Sequence, residues 1–382
     1  MGYVHVEVGV VQSAKRAGSP CGDVVTVDRA PGSFTLLLCD GIGSGSGANV
    51  AATACAARLR GLLREGFSPR QAFSRLVRSM NAARETGLPF TAFSMIRVLP
   101  DGAATVLLYE TPDCILTGPR YAAVLESQKS TVERALVGEV NCWLAPGEGI
   151  LAVSDGISQA GIGGSRRNGW GLGEASRFVG SCLAEGIPIT ELPGRVHAEA
   201  RKLWGASAGD DCTAALASCR PGRPLTILTG PPGDRSRDTA VVRDFLLREG
   251  KKVICGGTTA GIVARVKGTT VAVDPERDAR IAPPAYGVEG IDLVTEGAVT
   301  LTQVLNIWDE DPRRFDEESG VTQLWRMLKE ADRVTIMRGG ARNPANGAID
   351  YRQRGILGRE RIVPLLAERL VAEDKLVILE EV

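Results

Sequence analysis

Three aspartate-containing segments of this sequence each adjoin a run of apolar residues. Asp40 in "LLLCDGIG" and Asp155 in "ILAVSDGIS" end such runs, whereas Asp210 in "GDDCTAAL" comes just before one. Apolar runs of this length predict buried strands, and strand ends meet at the edge of a sheet. Several carboxylates gathered there repel one another unless cations neutralise them. The pattern therefore predicts a cation site built from distant parts of the chain.

The ligand chemistry of such a site would rest on oxygen atoms. The chain has only two histidines, His5 and His197, and no CxxC pair. Oxygen ligands without imidazole or thiolate suit magnesium and manganese. A glycine at position 41 lets the chain turn sharply, so that the Gly41 carbonyl could join the ligands. Two such ions would lower the pKa of a shared water and hold a phosphoryl oxygen, which predicts hydrolysis of a phosphomonoester.

Each segment also has a simpler interpretation. Asp-Gly is a common turn dipeptide, and a double aspartate is often a solvated turn or a helix cap. The stretch "GIGSGSG", residues 41–47, could alternatively cradle a phosphate as nucleotide-binding loops do, although no lysine follows it. Only the joint occurrence of the three segments favours a metal site.

The elements that would position these residues can be predicted from periodicity and capping signals. A helix opens at Ser68, with Pro69 at its first position and Gln71 completing a capping box. The turn "LPDG", residues 99–102, joins two strands in a hairpin. Strands and helices fall in separate blocks, which predicts an α+β domain. The predicted strands are 34–39, 90–99, 103–110, 114–118, 147–157 and 209–218, and the predicted helices are 47–66, 68–85, 173–185 and 191–206.

The chain is long enough for two domains, at 382 residues. The segment "CRPGRP" has the composition of a linker, and beyond it strands and helices alternate strictly, as in a smaller α/β domain with a mostly parallel sheet. We expect one domain over residues 1–219, a linker over 220–224 and a second domain over 225–382.

Bulk properties restrict the class of protein. Basic and acidic residues balance at 45 each, so no overall charge favours nucleic acid or an anionic membrane as partner. The first residues show no secretion signal, and no apolar run is long enough to span a bilayer. Nine cysteines lie mostly inside apolar segments, which is typical of buried free thiols in a reducing compartment. These features predict a cytoplasmic protein.

A set of motifs occurs in the order typical of one enzyme family. The segments are "PCGDVVTV", "LLLCDGIGSGSGA", "GILAVSDGIS", "WGLGE" and "GDDCTAAL". Together they resemble the metal-dependent type-2C (PPM) serine/threonine protein phosphatases, and most of all the SpoIIE-type branch, over residues 4–218. The resemblance implies an αββα two-sheet sandwich with two manganese or magnesium ions. It also implies hydrolysis of phosphoserine or phosphothreonine in bacterial signalling.

The resemblance implies roles for particular residues. Asp40 would bridge both metals, and Gly41 would offer its carbonyl to the second. Asp155 and Asp210 would bind the first metal. Two further candidates are Asp23, as a more distant or water-mediated ligand, and Asp211.

Two positions depart from the family pattern. Ile42 stands where the larger eukaryotic relatives have a histidine that acts as leaving-group acid, so the general acid is unassigned. The SpoIIE branch lacks this histidine as well. Cys212 replaces a residue that is usually methionine or another apolar type, a mild change because cysteine packs as a small hydrophobe.

Partners follow from the same resemblance. The substrate would be a phosphoprotein, and the helices at residues 48–83 would form a switch that a regulatory protein contacts. A homodimer is an open alternative. The competing hypothesis is a catalytically silent phosphatase fold that binds a partner and acts through its C-terminal module.

Glycine-rich turns of the second domain lie between a strand and a helix, where backbone amides favour an anion. The turns cover residues 229–234 and 256–259, and they match neither GxGxxG nor the lysine-bearing phosphate loop. Ordinary tight turns are the alternative to a regulatory or docking site for a nucleotide or small anion. The candidate residues are Gly230, Gly233, Gly256, Gly257 and Thr258.

Overall fold

The structure is a computed structural model that describes residues 2–132, 135–205, 209–273, 286–311, 314–341 and 355–382. Within these ranges the chain forms two compact units, Tyr3–Pro221 and Gly222–Val382. No helix among the described residues is long and apolar enough to cross a membrane.

The first unit contains two antiparallel sheets. One has the strand order β1-β11-β10-β6-β7 and the other β2-β3-β4-β5-β9-β8. The strands are β1 (Val4–Ser13), β2 (Asp23–Ala30), β3 (Ser33–Gly41), β4 (Thr91–Val98), β5 (Ala103–Tyr109), β6 (Cys114–Thr117), β7 (Ala122–Leu125), β8 (Gln128–Val132), β9 (Ala135–Trp143), β10 (Gly149–Val153) and β11 (Cys212–Pro221).

The two sheets pack face to face, and helices cover both outer faces. The helices are α1 (Ser46–Arg64), α2 (Pro69–Glu85), α3 (Asp155–Ser158), α4 (Leu172–Ala184) and α5 (Leu192–Trp204). The first two pack on the six-stranded sheet and the other three on the five-stranded sheet. This confirms the predicted αββα sandwich.

Strand β3 shows why a continuous apolar run forms this middle layer. Leu36 and Leu38 face the core between the two sheets, whereas Leu37 and Cys39 face the helices. Side chains alternate along a strand, so a strand buried on both faces needs apolar residues at every position. The run ends where Asp40 reaches the edge of the sandwich.

Local signals predicted some elements closely. Ser68 caps α2 by accepting a hydrogen bond from the backbone amide of Gln71, and the Gln71 side chain binds the Ser68 amide in return. The hairpin at residues 99–102 joins β4 and β5 as expected. The helix predicted over 191–206 is observed as α5, which ends at Trp204, and residue 206 lies outside the described residues.

Two boundaries differ from expectation. Asp155 does not end a strand, because β10 stops at Val153 and Asp155 is the first residue of α3. Strand β11 continues through Pro221, which pairs with Val4 of β1. Composition suggested a linker there, but hydrogen bonding to β1 extends the strand.

The second unit is an α/β domain built on one sheet, in the order β14-β15-β16-β13-β12-β17-β18. The last five strands in this order run parallel, and β14 and β15 are antiparallel. Its elements are β12 (Pro224–Thr229), α6 (Asp238–Leu247), β13 (Lys251–Cys255), α7 (Gly257–Lys267), β14 (Ala272–Val273), β15 (Tyr286–Gly287), β16 (Leu293–Thr295), α8 (Ala298–Asn306), α9 (Gly320–Glu330), β17 (Arg333–Arg338), α10 (Arg359–Ala372) and β18 (Leu376–Glu381).

Candidate active site

The aspartates singled out in the sequence lie at one end of the sandwich, on two different sheets. Asp40 ends β3, and its register partner Asp23 begins β2. Asp155 follows β10, and Asp210 precedes β11, the antiparallel neighbour of β10. The prediction that they share the edge of a single sheet is wrong, because the face-to-face packing of two sheets is what brings them together.

Asp40 is the most strongly perturbed of these carboxyl groups. Its pKa is raised to about 9, first by burial and then by the charges of its acidic neighbours, Asp23, Asp155 and Asp210. The backbone amide of Asp155 donates a hydrogen bond to it, which opposes the rise only in part. Without a cation, Asp40 is therefore held in its protonated form at neutral pH.

Asp23 is more deeply buried than Asp40, with only 1% of its surface exposed. Neither of its carboxyl oxygens has a hydrogen-bond partner among the described residues. Burial raises its pKa to about 6; the hydroxyls of Thr213 and Ser154 lower it without completing a well-aligned hydrogen bond. The Ser154 hydroxyl is directed to the Asp211 carbonyl instead, at 3.4 Å. A buried carboxylate without partners is costly, so this position suits a bound cation or water.

Asp155 and Asp210 complete the cluster. Burial, followed by the charge of Asp210, raises the pKa of Asp155, while a hydrogen bond from the Asp40 carboxyl lowers it. The Asp210 carboxylate accepts a hydrogen bond from the Asp211 amide at 3.0 Å and lies 3.5 Å from the Lys15 amino group. Lys15 thus places a positive charge beside this acidic cluster.

The Asp211 carboxylate binds backbone amides of a distant segment, unlike the carboxylate of Asp210. One carboxyl oxygen accepts a hydrogen bond from the Lys15 amide at 2.6 Å, and the other accepts one from the Gly22 amide at 3.0 Å. Asp211 therefore ties the segment between β1 and β2 to the start of β11. Both oxygens are used in this way, which favours a positioning role over metal ligation.

The glycines that follow Asp40 and Asp155 serve close packing. A Cβ on Gly41 would overlap the carbonyl of Ala48 in α1, and a Cβ on Gly156 would overlap the carbonyl of Asp211. Neither glycine has a positive φ. Gly41 is the last residue of a regular strand, and the positive φ values in the bend that follows are those of Gly43 and Gly45.

Side chains that sequence reasoning missed support the cluster. Lys15 and Asn49 lie outside the recognised motifs, and the Asn49 side chain donates to the Cys21 carbonyl at 2.8 Å. Trp204 donates its indole N–H to the Gly156 carbonyl at 2.8 Å, which holds the start of α3, where Asp155 lies. No local pattern marks these residues, because each acts on a segment distant in sequence.

The donor set fits hard cations in chemistry and burial. Over the ranges that the structure describes, however, no three histidine, cysteine, aspartate or glutamate side chains form a preformed metal-binding group. Asp40 and Asp155 share a hydrogen bond, and Asp210 faces Lys15. Asp40, Asp155 and Asp210 are thus satisfied by hydrogen bonds and by a lysine, whereas the carboxyl oxygens of Asp23 have no partner among the described residues.

The glycine and threonine candidates of the second unit line one cleft. Its volume is about 810 Å³. The candidates found there are Gly230, Gly233, Gly256, Gly257 and Thr258.

Several solved structures are similar to part of this chain. The crystal structure of the RsbU and RsbW domains of a Mycobacterium tuberculosis protein aligns with a TM-score of 0.49 and 16% identity, over 64% of this chain and 68% of that chain. The PP2C phosphatase domain, with a fragment of the regulatory domain, of the cell fate determinant SpoIIE from Bacillus subtilis aligns with a TM-score of 0.49 and 16% identity, over 58% and 65%. RsbX in complex with magnesium aligns with a TM-score of 0.40 and 17% identity, over 56% and 99%. No curated protein matches the chain.

The first unit has the fold of a PP2C-type phosphatase domain, with two antiparallel sheets between helical layers. The family model of Stage II sporulation protein E (SpoIIE) matches residues 30–220. The chain belongs to the SpoIIE family. The matched region begins after Asp23, so the family match does not reach that residue.

Proposed function

We propose that the first unit is a metal-dependent protein phosphatase that hydrolyses phosphoserine and phosphothreonine. The observation that carries this proposal is the perturbed carboxyl of Asp40 among Asp23, Asp155 and Asp210. A carboxyl group buried among like charges is a functional candidate, because a bound cation would relieve the repulsion between these groups. Manganese or magnesium suits these oxygen donors.

The proposed ligands are Asp40, Asp155 and Asp210 through their carboxylates and Gly41 through its carbonyl. Asp23 would act at longer range or through water. When bound, two such ions supply the positive charge that holds a phosphoryl group and lowers the pKa of a water molecule. Loss of the proton on Asp40 accompanies their binding.

Other residues of the chain orient this set. Asp211 holds the segment that carries Lys15 and Gly22 against the start of β11. The Lys15 side chain is about one-third exposed beside Asp210, where its charge favours the approach of a phosphate dianion. Ile42 is half exposed beside the site and carries no proton. Ile42 therefore cannot supply the proton that the leaving hydroxyl of serine or threonine needs.

The predicted switch formed by α1 and α2 could act on the site through contacts made at the start of α1. The carbonyl of Ala48 packs against Gly41, and Asn49 binds the backbone just before Asp23. A partner that shifts the start of α1 would therefore move the segments that carry Asp23 and Asp40.

Hydrolysis of p-nitrophenyl phosphate and of a phosphoserine peptide by the full chain, with manganese or magnesium, tests the proposal. Asp40→Asn should reduce turnover by more than the ~10–100-fold that loss of a supporting group costs, and calorimetry should show weaker metal binding. Asp28→Asn is the matched control, because Asp28 lies on β2 beside Arg60 and Arg64, away from the cluster. Equal turnover in both variants, or none in the parent protein with either ion, would refute hydrolysis and favour the partner-binding alternative.

A further inference from the structure

The cleft of the second unit lies at the carboxyl ends of its parallel strands. Strand β12 lies in the middle of the parallel strands. The next parallel strands along the chain, β13 and β16, lie on one side of β12, and β17 lies on its other side. The loops after β12 and β17 therefore leave in opposite directions and open a crevice between them. Such switch points are the usual ligand sites of open α/β sheets. A volume of about 810 Å³ is typical of small-molecule sites.

Two helices begin at this cleft with uncapped amides. Gly256 and Gly297, the N-cap residues of α7 and α8, both line it, and neither helix has a side-chain cap. Gly256 has a φ of 129°, a conformation that favours glycine. The first-turn N–H groups of both helices lack intrahelical partners and carry the positive end of the helix dipole. This arrangement favours an anion.

An arginine adds a fixed positive charge. Arg359 lines the cleft and donates from Nη1 to the carbonyls of Thr229, at 3.3 Å, and Gly339, at 2.9 Å. It forms no salt bridge with a carboxylate in the described part of the chain. A Cβ on Gly230 would overlap its guanidinium group, so the glycine admits the arginine. A planar guanidinium held in this way matches a phosphate group.

Two buried polar atoms at the cleft lack partners within the described ranges. The Thr259 hydroxyl, on a residue only 2% exposed, lies in the first turn of α7. Asp238 is 6% exposed; its Oδ2 pairs with Arg265 at 2.7 Å, whereas its Oδ1 has no partner. Unpaired buried polar groups of this kind call for a ligand. The hydroxyl can donate to a phosphate, and the carboxylate oxygen can accept from a sugar hydroxyl or an amino group.

We propose that this cleft binds a nucleotide. Its phosphate would lie on the first-turn amides of α7 with Arg359 and Thr259, and a hydroxyl or amino group would donate to Asp238. The carboxylates of Asp238 and Glu296 at the same cleft disfavour a simple anion that brings no hydrogen-bond donor. The proposal concerns the second unit alone and is independent of the phosphatase activity of the first.

Calorimetry on the full chain tests the proposal, with inorganic phosphate and the four ribonucleoside mono- and triphosphates as probes. EDTA suppresses metal-dependent hydrolysis of the probes, and a repeat with Asp40→Asn in magnesium covers nucleotides that bind with an ion. We expect at least one nucleotide to bind ten-fold or more tightly than phosphate. Phosphate binding as tight as any nucleotide, or no nucleotide binding in either condition, would overturn the proposal.

Matched variants locate the site. Arg359→Gln should weaken binding of that nucleotide at least ten-fold, whereas Arg361→Gln, an exposed position on the same helix, should leave it unchanged. Thr259→Val should weaken binding several-fold. Thr269→Val is its control, because this hydroxyl is likewise unpartnered but follows the other end of α7, outside the cleft. Unchanged binding in both Arg359→Gln and Thr259→Val would show that the nucleotide binds elsewhere.

Discussion

Asp23 and Asp40 lie directly opposite each other on the neighbouring strands β2 and β3, and both are largely buried. Like charges at opposed positions of an antiparallel pair destabilise a sheet. Burial, with the charges of neighbouring carboxylates, raises the pKa of Asp40 to about 9 and that of Asp23 to about 6. Without a cation, a proton on Asp40 therefore removes the repulsion between the two carboxyls.

The metal-free protein should lose stability as the pH rises. Unfolded aspartate has a pKa of about 3.9, so between that value and about 9 the folded state holds a proton on Asp40 that the unfolded state has lost. Unfolding therefore releases a proton, and the free energy of unfolding falls with increasing pH. Urea denaturation in EDTA at pH 5 and pH 9 should show a loss of at least ~1.4 kcal/mol, equivalent to one pKa unit.

Asp40→Asn provides the control for this pH dependence. Asparagine keeps the shape of the carboxyl but does not titrate, so the slope between pH 5 and pH 9 should become flatter. A slope equal to that of the parent protein would mean that groups other than Asp40 produce it.

Gly41→Ala should destabilise the first unit and reduce activity. The added methyl overlaps the Ala48 carbonyl, a backbone atom that cannot move without shifting the start of α1. Overpacking of this kind typically costs ~1–3 kcal/mol. Gly47→Ala is the matched control, since Gly47 lies inside α1 with open space around it and alanine there should stabilise by ~0.5–1 kcal/mol. Thermal unfolding of both variants gives the comparison, and similar shifts would contradict the packing role of Gly41.

Substitutions of Asp210 and Asp211 should have different effects, the first mainly on metal binding and the second mainly on stability. Asp211→Ala removes the acceptor of two backbone amides, each worth ~1.5–3 kcal/mol when the acceptor is charged. Asp210→Ala should instead weaken metal binding with a smaller effect on unfolding. Denaturation and metal titration of both variants would test this division. A larger loss of stability in Asp210→Ala would reverse the two roles.

Asn49→Ala should lower turnover, because Asn49 holds the segment that precedes Asp23. The lost hydrogen bond to the Cys21 carbonyl frees that segment from α1. Loss of a supporting group of this kind costs ~10–100-fold in metal affinity or activity. Thr53→Ala, an exposed position one turn further along α1, is the control. Equal turnover in the two variants, with unchanged metal affinity in each, would show that α1 does not act on the site through Asn49.

Several features of the fold could be predicted because their causes are local. The capping box at Ser68, the hairpin at residues 99–102 and the continuous apolar strand at residues 34–39 each depend on residues within a few positions of one another. The parallel sheet of the second unit follows from regular alternation of strands and helices. The end of β11 could not be predicted in this way, because pairing with β1 extends a segment whose composition is typical of a loop.

The sequence by itself determined which residues are chemically capable: three aspartates beside apolar strands and glycines directly after two of them. Only the tertiary structure decided how they meet. Asp40 and Asp155 belong to different sheets, and the packing of one sheet on the other brings their carboxyls into hydrogen-bonding range. The tertiary structure also shows that the two glycines allow close approach of neighbouring backbone. In it, Asp211 accepts hydrogen bonds from two backbone amides, and Lys15 lies beside Asp210. These relationships join segments up to 196 positions apart, and no local pattern of residues encodes contacts over that distance.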